Sequence, residues 1–146
     1  MRIIFLQKYD DYLDLLKLIF KEIDPTVPIE TTSLPDEALR LAGSGKVLLI
    51  TGYVLASNMH GGDVATQVKR RNREANVFLY SSIAAELPAC RLRPFDGIIP
   101  KKVDSEMVMA HFVNEAAKVN DLRLLQSAFP MIRFNTHESG EYGVCP

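Results

Sequence analysis

No apolar run in this sequence approaches the roughly 18 residues that a membrane-spanning helix requires, so no membrane span is expected. The opening, Met1-Arg2-Ile3-Ile4-Phe5-Leu6, has only a handful of apolar residues before Gln7 and Lys8. A secretory signal needs about 7–15 of them and a small-residue cleavage site. Cysteine is scarce: Cys90 and Cys145 are the only two, too few for a disulfide framework, and the expectation is a reduced, cytoplasmic protein. Excess charge is lacking as well. The 17 Lys and Arg nearly balance the 18 Asp and Glu, leaving −1, so bulk electrostatics point to no nucleic acid and no anionic membrane. His60, His111 and His137, with the two cysteines, have no zinc-type spacing, and we expect neither a metal site nor a cofactor.

What is present describes a globular chain. Its 146 residues, 47% hydrophobic and 24% charged, can bury one ordinary core without help from disulfides or metal. The hydrophobic period alternates between strand and helix. Arg2–Leu6 is too short for a helix and suits a strand buried on both faces. Tyr12, Leu15, Leu16, Ile19 and Ile23 recur at helical spacing, with Asp10 or Asp11 available as N-cap. Val27–Thr32 reads as a second strand, and Pro35 opens a second helix that ends at Gly43-Ser44-Gly45. Val47–Thr51 is a third strand, followed by a Gly-, Ser- and Asn-rich loop to about Gly62 and a helix through Val64 and Val68.

Val77–Tyr80 and Gly97–Ile99 are expected as strands four and five, with a short helix over Ser82–Leu87 between them. A long last helix is expected from Val103 to about Gln126, capped by Asp104, and the tail beyond Pro130 has no clear period. This β-α alternation predicts a parallel sheet covered on both faces, because each parallel connection needs a right-handed crossover. The expected fold is α/β: a flavodoxin-like (βα)5 three-layer sandwich, sheet order 2-1-3-4-5, with an extended last helix. Any site then lies at the carboxyl ends of strands 1, 3, 4 and 5. Residues 1–120 form the expected domain, and 121–146 the helix extension and an irregular tail.

Three stretches carry a resemblance. Leu48-Leu49-Ile50-Thr51-Gly52-Tyr53-Val54-Leu55-Ala56 leads on to Met59-His60-Gly61, Val77-Phe78-Leu79-Tyr80-Ser81-Ser82 follows, and then Asp96-Gly97-Ile98-Ile99-Pro100-Lys101. In order, spacing and placement at strand ends they resemble the receiver domains of two-component response regulators, over roughly residues 2–120. The resemblance implies phosphoryl transfer to an aspartate, assisted by magnesium held on acidic residues. At the matching positions those groups are missing: Gly52 stands at the phosphoacceptor, and Gln7 and Lys8 at the acidic pair. Asp10 and Asp11 come about one helical turn too late and read as helix-start residues. Two switch positions are retained, Ser81 and Lys101, although a serine also ends strands and a lysine also lines pocket rims. Ile98 replaces the switch aromatic.

The resemblance therefore implies a degenerate, or pseudo-, receiver: a non-enzymatic signalling module that acts by protein–protein interaction without aspartyl phosphorylation. Its partner would be a histidine kinase or another regulator, met on a face around Pro94, Ile98, Lys102 and Met107. A homodimer through the last helix would cover Leu122, Leu124, Leu125 and Phe129, unless these fold back on their own domain. Two alternatives stand beside this reading. One is a small-molecule-binding or enzymatic flavodoxin-like domain, which predicts a well-formed pocket beside Ser81 and Lys101. The other is a receiver phosphorylated at a relocated residue, Thr51 or Asp63. The basic run Lys69–Arg73 reads as a solvated helix face, and Gly43-Ser44-Gly45-Lys46 as a turn, since it leads into a strand rather than a helix. The expectation is a stand-alone receiver-like chain, since an output domain would need far more than the roughly 20 residues that follow.

Overall fold

The computed structural model describes residues 1–102 and 104–135. Strands β1 (Arg2–Leu6), β2 (Ile29–Thr32), β3 (Val47–Thr51), β4 (Ala75–Ser81) and β5 (Gly97–Pro100) alternate with helices. These are α1 (Asp10–Ile23), α2 (Pro35–Leu41), α3 (Gly61–Arg71), α4 (Ala89–Leu92) and α5 (Ser105–Ala116). The sheet order is β2-β1-β3-β4-β5-β6, with the first five strands parallel and a two-residue β6 (Arg133–Phe134) antiparallel to β5. The expected flavodoxin-like sandwich is therefore present, with one strand more than its sequence pattern announced.

Side-chain alternation along the strands builds two core layers. Ile3, Phe5, Leu48, Ile50, Phe78, Tyr80 and Ile99 face α1 and α5. Ile4, Leu6, Val47, Leu49, Val77, Leu79 and Ile98 face the other side, where Ala38, Val64, Val68 and Leu92 cover them. All five residues of β3 are buried, which accounts for its unbroken apolar run.

The last helix departs from expectation. α5 ends at Ala116 instead of continuing to Gln126, and Leu122–Leu125 form a 3-10 turn capped by Asp121, whose side chain accepts from the Arg123 amide. Leu122, Leu125 and Ile132 enter the core layer of α1 and α5. Phe129 packs edge-on against Phe112 at 5.4 Å between centroids, and Phe134 does the same to Phe78 at 5.3 Å. Each such pair adds about 0.5–1.5 kcal/mol beyond area burial, so the segment gains more by turning back than by extending into water. The i, i+3 spacing of Leu122 and Leu125 serves a 3-10 turn as well as an α-helix. Of the four residues expected to need cover, Leu124 alone stays strongly exposed, at 71%.

Residues 131–135 are organised: β6 pairs with β5, and Asn135 donates its side-chain amide to the carbonyls of Leu92 and Phe95. Smaller corrections follow the same logic. Ala84–Glu86 is a 3-10 turn and α4 restarts after Pro88. Asp104 precedes α5 in a left-handed conformation (φ 67°) and makes no capping bond; the Ser105 hydroxyl accepts from the Lys102 amide instead. In the basic run, Asn72 is buried and donates to the carbonyls of Ala42 and Gly45, while Lys69 pairs with Asp96. Cys90, expected as a reduced thiol, is disulfide-bonded; a count that excludes a framework of several bridges does not exclude one bridge. His137 and Cys145 lie outside the described residues. No helix among the described residues is long and apolar enough to cross a membrane.

Candidate functional site

Parallel register brings the strand ends to one crest. Leu6 pairs with Thr51, Thr51 with Leu79, and Ser81 with Pro100, so Gln7, Gly52, Ser81 and Lys101 all emerge at the same edge. There they border a cleft of about 320 Å³, which Lys8 and Tyr53 also line. The four residues picked out at separate places in the sequence are thus brought together.

Gln7 is only 5% exposed. Its amide nitrogen points to the Tyr80 carbonyl at 3.4 Å. A Cβ built on Gly52 would meet the Gln7 Oε1 at 3.2 Å, so the carboxamide stands against the space that a side chain at position 52 would enter. The Gly52 amide itself is tied to the Leu6 carbonyl at 2.9 Å. For magnesium, the donor set that the fold brings here is unsuitable. Gln7 offers a neutral amide, Lys8 an exposed ammonium and Gly52 no side chain, where a hard cation requires several anionic oxygens.

Lys101 is half-buried, and its ammonium lies 4.2 Å from the centroid of the Tyr12 ring and 5.3 Å from that of Tyr80. Such cation–π contacts are worth about 0.5–2 kcal/mol. Burial lowers the lysine's pKa, an effect opposed by nearby Glu106. The two phenols join in a hydrogen-bonded line. The Tyr12 hydroxyl is 3.0 Å from that of Tyr80 and donates to Glu106 Oε1 at 3.4 Å, and the Tyr80 hydroxyl lies 3.3 Å from Ser105 Oγ. Burial foremost, then the Tyr80 hydroxyl and Glu106, pushes the Tyr12 phenol well above the ordinary range. Tyr80 rises for the same first reason, burial. Ser81 ends β4, and its Oγ accepts from the Ile83 amide at 3.4 Å.

Other candidates fall elsewhere. Thr51 is fully buried, its hydroxyl donating to the Gly52 carbonyl at 2.9 Å. Asp63 sits in the first turn of α3, with its carboxylate 3.3 Å from His60 Nδ1. Ile98 is not part of a surface: it is 8% exposed and packs in the layer beneath α4, because its place in the β5 alternation turns it inward. Of the expected interaction face, Lys102 and Met107 are exposed and Pro94 is half-buried. Two members of the site escaped sequence reasoning. Tyr12 falls within the apolar stripe expected for α1, and no motif in the sequence marks Glu106.

No protein-family model and no curated protein matches this sequence. Solved structures do. A chain from the complex of the histidine kinase ThkA with the response regulator TrrA is 19% identical at a TM-score of 0.62, covering 78% of this chain and 97% of that one. TrrA of Thermotoga maritima in complex with magnesium and beryllofluoride is 16% identical at 0.58, over 78% and 98%. A response regulator receiver domain protein from Clostridium thermocellum is 18% identical at 0.60, over 81% and 95%. The fold of this chain is that of response-regulator receiver domains.

Proposed function

We propose that this chain is a signalling module of the receiver fold that works through protein–protein contact without aspartyl phosphorylation. The observation that carries the reading is the pairing of Gly52 with Gln7. The position at the end of β3 has no carboxylate to phosphorylate, and a neutral buried amide stands beside it. Signalling then comes from fixed presentation of one face, or from a partner that selects one conformation. Likeness to a chain of a kinase–regulator complex supports a partner of that kind, a histidine kinase or another regulator. The exposed parts of β5–α5, Lys102 and Met107, are the surface on offer. A second copy of the chain is the less favoured partner, because Leu122 and Leu125 are already covered.

Incubation with magnesium and acetyl phosphate, followed by intact-mass measurement, tests this. The mass is expected to stay unchanged; a gain of one phosphoryl group overturns the proposal and turns attention to Asp63 or Thr51. A second reading, a small-molecule-binding domain, is favoured by one observation: the cleft it requires beside Ser81 and Lys101 exists.

A further inference from the structure

We propose that the cleft at the strand ends binds a small planar aromatic anion, through its tyrosines and the ammonium groups of Lys8 and Lys101. The inference rests on the small-molecule reading of that site and names the ligand's chemistry.

Charge comes first. The residues lining the cleft include two cations, Lys8 and Lys101, and no carboxylate. Among the described residues neither lysine makes an ion pair within 4 Å, whereas Arg2, Lys69, Lys118 and Arg123 all do. Both ammonium groups lie instead near ring faces, Lys8 at 5.6 Å from the Tyr9 centroid and Lys101 at 4.2 Å from that of Tyr12. A ring face compensates a cation only in part, so an anion gains by approaching. Neutral donors stand ready as well: the Ser82 hydroxyl is exposed at the rim and that of Ser81 is half-buried within. Glu106 accepts from the Tyr12 hydroxyl, and its carboxylate still offsets Lys101 in part; it does not line the cleft, and Asp10 and Asp11 lie on the exposed first turn of α1.

Shape and lining then narrow the class. All four tyrosines among the described residues line this one cleft. Tyr9, Tyr12 and Tyr53 retain exposed surface there, while Tyr80 lies buried behind them. Aromatic walls favour flat apolar partners, stacked or edge-on. At about 320 Å³ the volume sits at the lower limit of ordinary ligand pockets, about 300–1,000 Å³. It holds one or two rings with an acid group, not a dinucleotide or a peptide. A lone inorganic anion would leave most of the aromatic wall unused.

The test is an amide-shift titration by NMR on the intact chain, with benzoate and phenyl phosphate as probes and benzamide and inorganic phosphate as controls. Benzoate and phenyl phosphate are expected to move the Gly52, Tyr53, Ser82 and Lys101 amides saturably. Each should bind at least about tenfold tighter than its control. Lys101→Met and Lys8→Gln should each weaken benzoate by a similar factor while leaving the remaining shifts in place, which separates lost binding from lost folding. Equal binding of benzamide and benzoate would refute the role of charge, and equal binding of inorganic and phenyl phosphate that of the ring. Absence of saturable shifts at millimolar probe would refute the site. Benzoate carries no phosphoryl group, so these outcomes are independent of whether acetyl phosphate modifies the chain.

Discussion

Gly61 and Gly62 stand side by side at the start of α3, yet alanine should act oppositely at the two. A Cβ on Gly61 would lie 2.2 Å from the Gly52 carbonyl oxygen and 3.3 Å from the Tyr53 Cα. A Cβ on Gly62 meets nothing nearer than His60 Nδ1, at 3.7 Å. Carbon–oxygen contacts are comfortable from about 3.3 Å, so Gly61→Ala must open a gap of roughly 1 Å. The obstacle is backbone, and no rotamer change relieves it. Moving it strains the bond from the Gly61 amide to the Tyr53 carbonyl, now 2.7 Å and worth about 1 kcal/mol. Overpacking adds about 1–3 kcal/mol, against which the helix preference of alanine returns about 1 kcal/mol. The net cost expected for Gly61→Ala is about 1–3 kcal/mol, whereas Gly62→Ala should be neutral or gain about 0.5–1 kcal/mol. Urea unfolding followed by circular dichroism reads both, and the Gly52 amide shift should move in the first variant far more than in the second. Equal stability of the two variants within about 0.5 kcal/mol would show that the reasoning from close approach is wrong.

Three further outcomes can be checked. Restoring the acids in Gln7→Asp/Lys8→Asp/Gly52→Asp should confer magnesium-dependent mass gain with acetyl phosphate, while Gly52→Asp alone should not; modification of the single variant would show that the acidic pair is dispensable here. Asn114 is 3% exposed, and neither side-chain amide atom has a hydrogen-bond partner among the described residues. Asn114→Leu should therefore stabilise by about 1–3 kcal/mol, and a lower melting temperature would contradict this. Tyr12 and Tyr80 have raised pKa values, so their contribution is complete below the free-phenol pKa of about 10 and is lost as pH rises beyond it. Lys101, lowered by burial, acts in the opposite sense: its penalty fades as pH climbs through its lowered pKa toward about 10.4. Phenolate absorbance and circular dichroism recorded together should show the late tyrosines ionising with unfolding. Titration of every tyrosine near 10 in a still-folded chain would disprove the buried pair.

The parallel sandwich was legible because burial on two faces leaves a strong local mark. The apolar runs Ile3–Leu6 and Val47–Ile50 sit inside both core layers, as central strands of a parallel sheet covered on both faces do. Gly52, Gln7, Lys8, Ser81 and Lys101 could be placed at one edge in advance, since parallel register aligns strand ends whatever the side chains are. The end of α5 was not legible. Leu122, Leu125 and Phe129 keep a helical spacing, and only their contact with Phe112 and the α1–α5 core decides that the chain turns back. β6 has the same origin: two residues are too few to signal a strand, and they pair only because β5 presents an open edge.

Within the site the division is similar. Residue identity alone determined that positions 7, 8 and 52 carry no carboxylate, because side-chain chemistry travels with the sequence. Tertiary structure decided that Gln7 lies buried against Gly52, that Ile98 turns inward, and that Tyr12 of α1 meets Tyr80 of β4 beneath the Lys101 ammonium. Tyr12 and Tyr80 are 68 positions apart, and their meeting follows from how α1 packs on the sheet, which no local pattern records.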